Sequence, residues 1–238
     1  MSLRSTLESA ARDLVRDDLP PAERAIRLAD RILRSSRVHP RITVSRRLVF
    51  ELTRPPPKFR GLRDLVVRRA RAEDAHDIGI TDDTSSEQVR QLLARGDLAY
   101  VGLLGDRVLC KTCFHPGPTP FDESYIVGVS WELSPSTFWS YAGAATVDAR
   151  ATGVFIKLFA TALCEIYEMH GATRVLGWIR DTNHSSIALH ERMGWQRLGA
   201  LVTVALPGVK WVFWEGAGGP RRWIARRSRP LLFSVPPS

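Results

Sequence analysis

The spacing of hydrophobic residues divides the middle of the chain into short strands and a few helices. The clearest element is a hairpin, because apolar residues fill positions 98–104 and 107–114 on either side of Gly105-Asp106. Residues 152–170 carry one narrow polar stripe, which predicts a helix buried on most sides. The same criteria predict further strands at 65–70, 125–133, 138–147, 174–179, 201–206 and 209–214, and short helices at 73–78, 84–94 and 185–193. This order predicts an α/β fold with a mixed sheet and antiparallel hairpins at both ends.

The two ends of the chain follow different patterns. Residues 3–18 and 22–36 have the spacing of two short amphipathic helices separated by a pair of prolines. A run of three prolines from Pro55 cannot lie in a helix or a central strand, so we interpret it as a linker. We therefore predict three parts: a helical N-terminal extension with a proline-rich linker at 1–64, an α/β domain at 65–217, and a basic arm, either a poorly ordered tail or a strap, at 218–238.

Charge is unevenly distributed along the 238 residues. The net charge of +9 divides into +9 for residues 1–70, −5 for residues 71–217 and +5 for residues 218–238. A mildly acidic middle favours a cationic substrate such as an amine. The basic flanks could contact nucleic acid, anionic lipid or the acidic middle itself, and the sequence gives no strong evidence for a nucleic-acid or membrane partner.

The three cysteines are too few for a disulfide framework in a chain of this size. Cys110 and Cys113 fall in a predicted strand, where their spacing points the thiols to opposite faces, and no second pair completes a site. We therefore predict no metal. The sequence has neither a signal-peptide core nor an apolar run of about 18 residues, so we predict a cytoplasmic protein.

Two segments have the composition of a ligand-binding site. In the first, Arg150 and Gly153 lie between a predicted strand and the long helix. The free N–H groups and the dipole of a helix N-terminus favour an anion there, and Arg150 adds a charged donor. In the second, Asn183 and two serines open a short helix that ends at Gly194, directly before Trp195. Each segment taken alone is also consistent with an ordinary capped turn.

Taken together, the two segments resemble the GNAT acyltransferase superfamily over roughly residues 65–215. The family's pyrophosphate loop, Gln/Arg-x-x-Gly-x-Gly/Ala, is similar to residues 150–155, which read RATGVF. Its later pattern, Asn-x-x-Ser/Ala-x-x-Leu-Tyr-x-x-x-Gly-Phe, is similar to residues 183–195, with His190 in place of the tyrosine. The resemblance implies a GNAT-like mixed, mostly antiparallel central sheet flanked by helices, here with an N-terminal helical extension.

The resemblance also implies the ligands and the residues that bind them. The co-substrate would be acetyl-CoA or another acyl-CoA, with its pantetheine arm in a splay between the central parallel strands. The acceptor would be an amine of unknown class, and a homodimer is left open. The implied cofactor-binding residues are Ala145, Thr146, Val147, Arg150, Ala151, Thr152, Gly153, Val154, Phe155, Asn183 and Ser186.

The predicted catalytic residues are His190 and Glu132. His190 would protonate the departing thiolate, unless it is a histidine of the helix surface or the core edge. Glu132, flanked by apolar residues, would be the general base with a pKa raised by burial, and Glu123 and Asp148 are the alternatives. Phe155 stands where the family usually has glycine or alanine, so its ring either turns into the core or obstructs the cofactor.

These features predict an N-acyltransferase that moves an acyl group, most simply acetyl, from acyl-CoA to an amine. Two other functions stay open. Phe155 and the missing tyrosine are consistent with a degenerate CoA-binding or regulatory module without turnover. The basic flanks are consistent with a nucleic-acid- or membrane-associated factor.

Overall fold

Most of the regular structure belongs to one large sheet. The computed structural model describes residues 43–59, 61–81, 84–123, 128–150, 152–206, 209–216, 221–226 and 231–234. Its strands are β1 (Thr43–Leu52), β2 (Leu65–Arg69), β3 (Leu98–Leu104), β4 (Arg107–Pro116), β5 (Phe121–Asp122), β6 (Val129–Glu132), β7 (Thr137–Ala145), β8 (Arg174–Arg180), β9 (Gln196–Leu206), β10 (Val209–Gly216), β11 (Arg221–Arg226) and β12 (Leu231–Ser234). Its helices are α1 (Ala75–Ile80), α2 (Ser86–Ala94), α3 (Val154–His170) and α4 (His184–Arg192), with 3₁₀ turns at Ala72–Asp74 and Val147–Ala149.

The strands form a mixed sheet that is mostly antiparallel. Nine of them lie in the order β11-β10-β9-β1-β8-β7-β4-β3-β2. Within this sheet β7 and β8 pair in parallel, whereas the other neighbouring strands pair antiparallel. The hairpin of β3 and β4 confirms the strongest local prediction. The predicted fold class, a mixed and mostly antiparallel sheet flanked by helices, is therefore confirmed.

The large sheet is covered on both faces. On one face α3 packs against apolar side chains of β1, β4 and β8, and its Leu158 and Leu163 are fully buried. On the other face a small three-stranded sheet, β12-β6-β5, buries Trp131 against Trp139 of β7. The helices α1 and α2 pack beside it, on the same side as Val101. The alternation of burial along the strands therefore separates two cores, as expected when both faces of a sheet are covered.

The strand β1 corrects the predicted boundary at residue 64. Residues 43–52 pair antiparallel with β8 on one side and β9 on the other, so they lie inside the sheet of the predicted α/β domain. Two successive arginines interrupt the apolar run of this strand, and its partners lie more than 120 residues further along the chain. A local hydrophobic pattern carries no information about such pairing. The two helices predicted at 3–18 and 22–36 lie outside the described residues.

The described part of the C-terminal region forms two strands, which favours the predicted strap over the poorly ordered tail. Residues 221–226 add β11 to the edge of the large sheet, antiparallel to β10. Residues 231–234 form β12, which pairs in parallel with β6. Phe233 is buried there against the rings of Trp131 and Trp214, at centroid distances of 5.5 and 5.2 Å. Burial of Phe233 and the pairing of β12 with β6 therefore anchor this segment as a strap.

Candidate functional site

The two parallel strands at the centre of the sheet separate at one end. Pairing of β7 with β8 runs from Thr137 opposite Arg174 to Ser140 opposite Gly177. Both strands continue beyond that point, to Ala145 and Arg180, without pairing with each other. The splay that the sequence resemblance implied is therefore present. It opens a groove of about 620 Å³ whose walls come from both faces of the sheet.

A bulge in β7 lies directly beside this groove. Lys111 of β4 pairs with Ala144, but Cys113 pairs with Tyr141, so β7 contains one extra residue between these pairs. Ala142 in the bulge has φ +51°, which is uncommon for a residue other than glycine. A bulge turns backbone groups away from the regular ladder, and bulges are often found next to active sites. Here the bulge forms part of the groove wall.

The part of β7 that lines the groove comes before residues 145–147, the stretch that the sequence resemblance implied. The β7 residues in the groove wall are Ser140, Tyr141, Ala142 and Gly143. Of the predicted backbone contacts, Thr146 already donates its N–H to the Leu109 carbonyl in β4, at 2.9 Å. Ala145 ends β7, and Val147 is exposed at the start of the following 3₁₀ turn. The backbone nearest the splay is therefore that of the bulge, before the predicted stretch.

The start of α3 has the features of an anion site. Gly153 is the N-cap, with φ +83°, a left-handed conformation that favours glycine. It provides no side-chain cap, so the first amides of α3, beginning at Val154, have neither a cap nor an intrahelical partner. Arg150 is exposed nearby and donates through Nε to the Ala145 carbonyl, at 3.3 Å. Thr152 uses its hydroxyl on the Ala149 carbonyl instead of capping the helix, and Ala151 lies outside the described residues.

Phe155 turns toward the core. Its ring is half-buried and stacks on Phe159 of the next helical turn, with centroids 5.6 Å apart. The ring also reaches Gly143 in the bulge, where an added Cβ would lie 2.8 Å from it. Glycine at that position therefore gives the ring its space. Of the two alternatives for Phe155, the structure favours the one in which the ring packs with the core and forms a groove wall.

The second predicted segment lies on the same groove as Phe155. Asn183 caps α4: its Oδ1 accepts from the N–H of Ser186 at 3.2 Å and from the hydroxyl of Ser185 at 3.1 Å. Asn183, Ser186 and His190 all line the groove. The two motifs therefore meet at this groove through Phe155 of the first and through Asn183, Ser186 and His190 of the second, whereas Thr152 and Val154 line a separate cavity.

The environment of His190 argues against its predicted role as proton donor. Its Nδ1 lies 2.8 Å from the Ser186 carbonyl, which can only accept, so Nδ1 carries the proton. The neutral ring then has no proton on Nε2. Burial among the rings of Phe50, Phe159 and Trp195 lowers its pKa to about 4, outweighing the hydrogen bond to Ser186. A doubly protonated ring is therefore rare at neutral pH.

If the chain catalyses the acyl transfer that the sequence resemblance implies, replacing His190 with phenylalanine is expected to change the turnover number only slightly. Phenylalanine keeps an aromatic ring among the neighbouring rings, and no proton transfer is lost. We expect kcat to fall by less than about fivefold, well below the loss expected from removing an acid–base group. Steady-state kinetics at saturating acyl-CoA would measure this. A drop of two or more orders of magnitude would restore His190 to the mechanism.

Glu132, the predicted general base, does not line the groove. Its side chain is exposed on β6, and it accepts a hydrogen bond from the Ser234 hydroxyl of β12. The flanking Trp131 and Leu133 point to the opposite face, because side chains alternate along a strand. Asp148 is also exposed: the Thr146 hydroxyl and Arg107, 2.7 Å away, lower its pKa and so weaken it as a base.

Glu123 is the alternative carboxylate that does line the groove. Only 4 % of it is exposed, and its Oε2 accepts hydrogen bonds from the indole N–H groups of Trp131 at 2.8 Å and Trp178 at 2.6 Å. Burial raises the pKa of Glu123, and this effect exceeds the opposing effects of the two indoles and of the Arg47 charge. A buried carboxylate with a raised pKa is a better base near neutral pH than an exposed one.

A buried polar network that includes Tyr141 of β7 was not predicted from the sequence. The Tyr141 hydroxyl donates to Asp97 Oδ2 at 2.6 Å, and His115 Nδ1 lies 2.5 Å from Asp97 Oδ1. Burial alone would raise the pKa of Asp97, but hydrogen bonds from His115, Arg95 and Tyr141 lower it overall. Tyr141 and Arg95 line the groove, so this network fixes part of the wall. Its members are too far apart in sequence for a local pattern to have indicated it.

Cys110 and Cys113 are buried in β4 and form no disulfide. Among the residues that the structure describes, no group of three or more histidine, cysteine, aspartate or glutamate side chains could hold a metal ion. None of the helices in those ranges combines the length and the apolar character needed to cross a bilayer.

Comparison with known proteins gives structural matches alone. No family model matches the sequence, and a search of curated proteins finds no significant match. A GNAT-family protein from Novosphingobium aromaticivorans, described as a candidate acetyltransferase, matches with a TM-score of 0.51 and 15 % identity over 71 % of this chain and 67 % of its own. A GCN5-related N-acetyltransferase from Kribbella flavida matches with a TM-score of 0.51 and 15 % identity over 71 % of this chain and 61 % of its own. A functionally unknown conserved protein from Staphylococcus epidermidis matches with a TM-score of 0.50 and 9 % identity over 80 % of this chain and 69 % of its own.

Proposed function

Because the chain has the fold of the GNAT superfamily, we propose that it is an acyl-CoA-dependent N-acyltransferase, with acetyl-CoA as the simplest donor. One observation carries the proposal. A single groove runs through the splay of β7 and β8 and joins the helix-covered face, with Asn183 and Phe155, to a buried carboxylate, Glu123, on the other face. Such a groove lets a thioester and an amine meet from opposite sides of the sheet.

The residues on the helix-covered face fit a CoA molecule. The uncapped amides at the start of α3 and the exposed Arg150 suit a diphosphate. The gap between the separated ends of β7 and β8 leaves a narrow passage for the pantetheine arm, and the Phe155 ring, packed on Gly143, forms one of its walls. Beyond Ser140, the backbone groups of β7 that would face β8 have no partner in that strand and can pair with the amides of the arm.

The opposite face of the groove suits an amine. The carboxylates of Asp122 and Glu123 lie there with the rings of Phe121, Tyr141 and Trp178. Carboxylates attract a protonated amine, and aromatic faces favour a cation. Glu123 then accepts a proton, so that the neutral nitrogen attacks the thioester carbonyl carbon. An N–H group of the bulge stabilises the oxyanion of the tetrahedral intermediate. The C–S bond then breaks, and the second proton of the nitrogen passes through water to the departing thiolate, so that the products are the amide and CoA thiol.

A thiol-release assay tests the proposed function. Acetyl-CoA is supplied with a panel of amines that includes amino acids, polyamines, aromatic amines, amino sugars and peptides. We expect the full chain to release CoA thiol with at least one amine, in proportion to enzyme and amine concentration, and to form the acylated amine detectable by mass spectrometry. Tight binding of CoA with no product from any amine would instead indicate a CoA-binding module without turnover.

Replacing Arg150 with alanine is expected to weaken binding of CoA and not of its phosphate-free part. Arg150 would donate to the diphosphate, and a charge-assisted hydrogen bond at an exposed site is expected to contribute about tenfold in affinity. Calorimetry should therefore show a higher dissociation constant for acetyl-CoA and an unchanged one for acetyl-pantetheine. The matched control is Arg107→Ala, which removes a nearby arginine paired with Asp148. Equal losses in both variants would contradict the assignment.

A further inference from the structure

An arginine of β1, the strand between β8 and β9, lies close to the proposed base Glu123. Arg47 is only 5 % exposed, and its guanidinium carbon lies 4.7 Å from the centre of the Trp178 ring. Its Nη1 donates to the Ser45 hydroxyl at 2.5 Å. A buried cation is costly unless nearby groups compensate for the water it has lost. The face of Trp178 provides part of that compensation.

Trp178 links this arginine to Glu123. The edge of the indole donates its N–H to Glu123 Oε2 at 2.6 Å, while Arg47 covers the face of the same ring. One side chain of β1 thus holds the ring that orients the carboxylate. Burial lowers the pKa of Arg47 to about 10, and the negative charge of Glu123 opposes that effect, so the guanidinium stays charged at neutral pH.

We propose that Arg47 is a positioning residue for the acyl-transfer reaction: it holds Trp178 against Glu123 and stabilises the ionised form of that carboxylate. The inference rests on the proposed function, in which Glu123 accepts the proton of the amine. It gives β1 a role in the site in addition to its place in the sheet. Arg47 lies far in sequence from both motif segments, residues 150–155 and 183–195.

Other charged groups lie near Glu123 and Arg47. Asp122 is next to it in sequence and opposes ionisation of Glu123. At the end of β8, Arg180 lowers and Asp181 raises the pKa of Arg47, and their opposite charges act against each other. Tyr141 of β7 lines the same groove and stays neutral, because burial raises its pKa. Arg95 also lines the groove and pairs with Asp97. Lys210 of β10 is close enough to Arg47 for the arginine charge to lower the pKa of the lysine. Among these charged groups, Arg47 is the cation that contacts Trp178, whose indole N–H donates to Glu123.

The test compares Arg47→Met with Arg47→Lys and with Arg46→Met. Methionine keeps much of the volume and removes the charge, so ionisation of Glu123 becomes harder. We expect the acid limb of the kcat/KM profile to move to higher pH by roughly one unit in Arg47→Met. Arg47→Lys restores the charge and should return the limb most of the way to the wild-type position. Arg46 is the matched control, because it points to the opposite face of β1 and pairs with Glu215 at 3.1 Å.

A second measurement separates this inference from the proposed function. Carbon-13 NMR of glutamate carboxyl groups reports the ionisation of Glu123 without any turnover. We expect its titration midpoint to rise in Arg47→Met and not in Arg46→Met, even if no acceptor amine is found. A shift in the NMR titration with no transfer by the wild-type protein would overturn the proposed function alone. An unmoved midpoint in a folded Arg47→Met protein, or an equal shift in Arg46→Met, would overturn the role of Arg47.

Discussion

Glu123→Gln is expected to lower kcat by roughly 100- to 1000-fold, the range typical for loss of a positioned general base. Glutamine keeps the volume and can still accept the indole hydrogen bonds of Trp131 and Trp178 through its carbonyl oxygen. It cannot take a proton from the attacking amine. Affinity for acyl-CoA should stay nearly unchanged, because Glu123 lies on the acceptor side of the groove. Rapid-mixing and steady-state kinetics at saturating acyl-CoA, with calorimetric binding of CoA, would measure both quantities.

The matched control for that variant is Glu132→Gln. Glu132 is the carboxylate that the sequence favoured, but it is exposed on β6 and outside the groove. We expect its replacement to leave kcat almost unaltered. If Glu132→Gln abolished turnover while Glu123→Gln kept it, the assignment of the base would be wrong.

Phe50→Ala is expected to lower the free energy of unfolding by about 3–5 kcal/mol. Phe50 lies in β1, is completely buried, and packs in the same core as Leu158 and Phe159 of α3. Removing its ring leaves a cavity between β1 and α3. Urea denaturation followed by circular dichroism would give the difference. Val66→Ala, at a 55 % exposed position of the edge strand β2, should change stability by less than about 0.5 kcal/mol.

This comparison also tests the position of β1. If residues 43–52 were a separate extension, Phe50→Ala would have an effect as small as that of Val66→Ala. A large effect of Phe50→Ala shows instead that a chain shortened to begin at residue 65 would lose the middle of its sheet.

Local sequence patterns were sufficient for elements that depend on short-range physics. The turn at Gly105-Asp106 and its alternating flanks predicted the hairpin of β3 and β4 because their pairing is local. The apolar length and terminal glycine of α3 predicted a helix that ends at His170 with Gly171 as its left-handed C-cap. Asn183 is the N-cap of α4 because its side chain can accept the amide of Ser186.

The errors fall where tertiary contacts decide the outcome. Glu132 has apolar neighbours in sequence and Glu123 has polar ones, but the fold buries Glu123 and places Trp178, 55 residues away, beside it. His190 has a motif position that suggests acid catalysis, yet burial among Trp195 of the same motif and the distant rings of Phe50 and Phe159 disfavours its charge. The contribution of β1 depends on pairing across more than 120 residues. Sequence spacing carries none of this information.

The most direct test of the central claim is a crystal structure of the protein with CoA. The account predicts the diphosphate on the first amides of α3 near Arg150, the pantetheine arm between β7 and β8 beside Gly143, and the sulfur facing the side of the groove that holds Glu123. Density for CoA elsewhere on the surface, with the gap between β7 and β8 empty at saturating ligand, would contradict it.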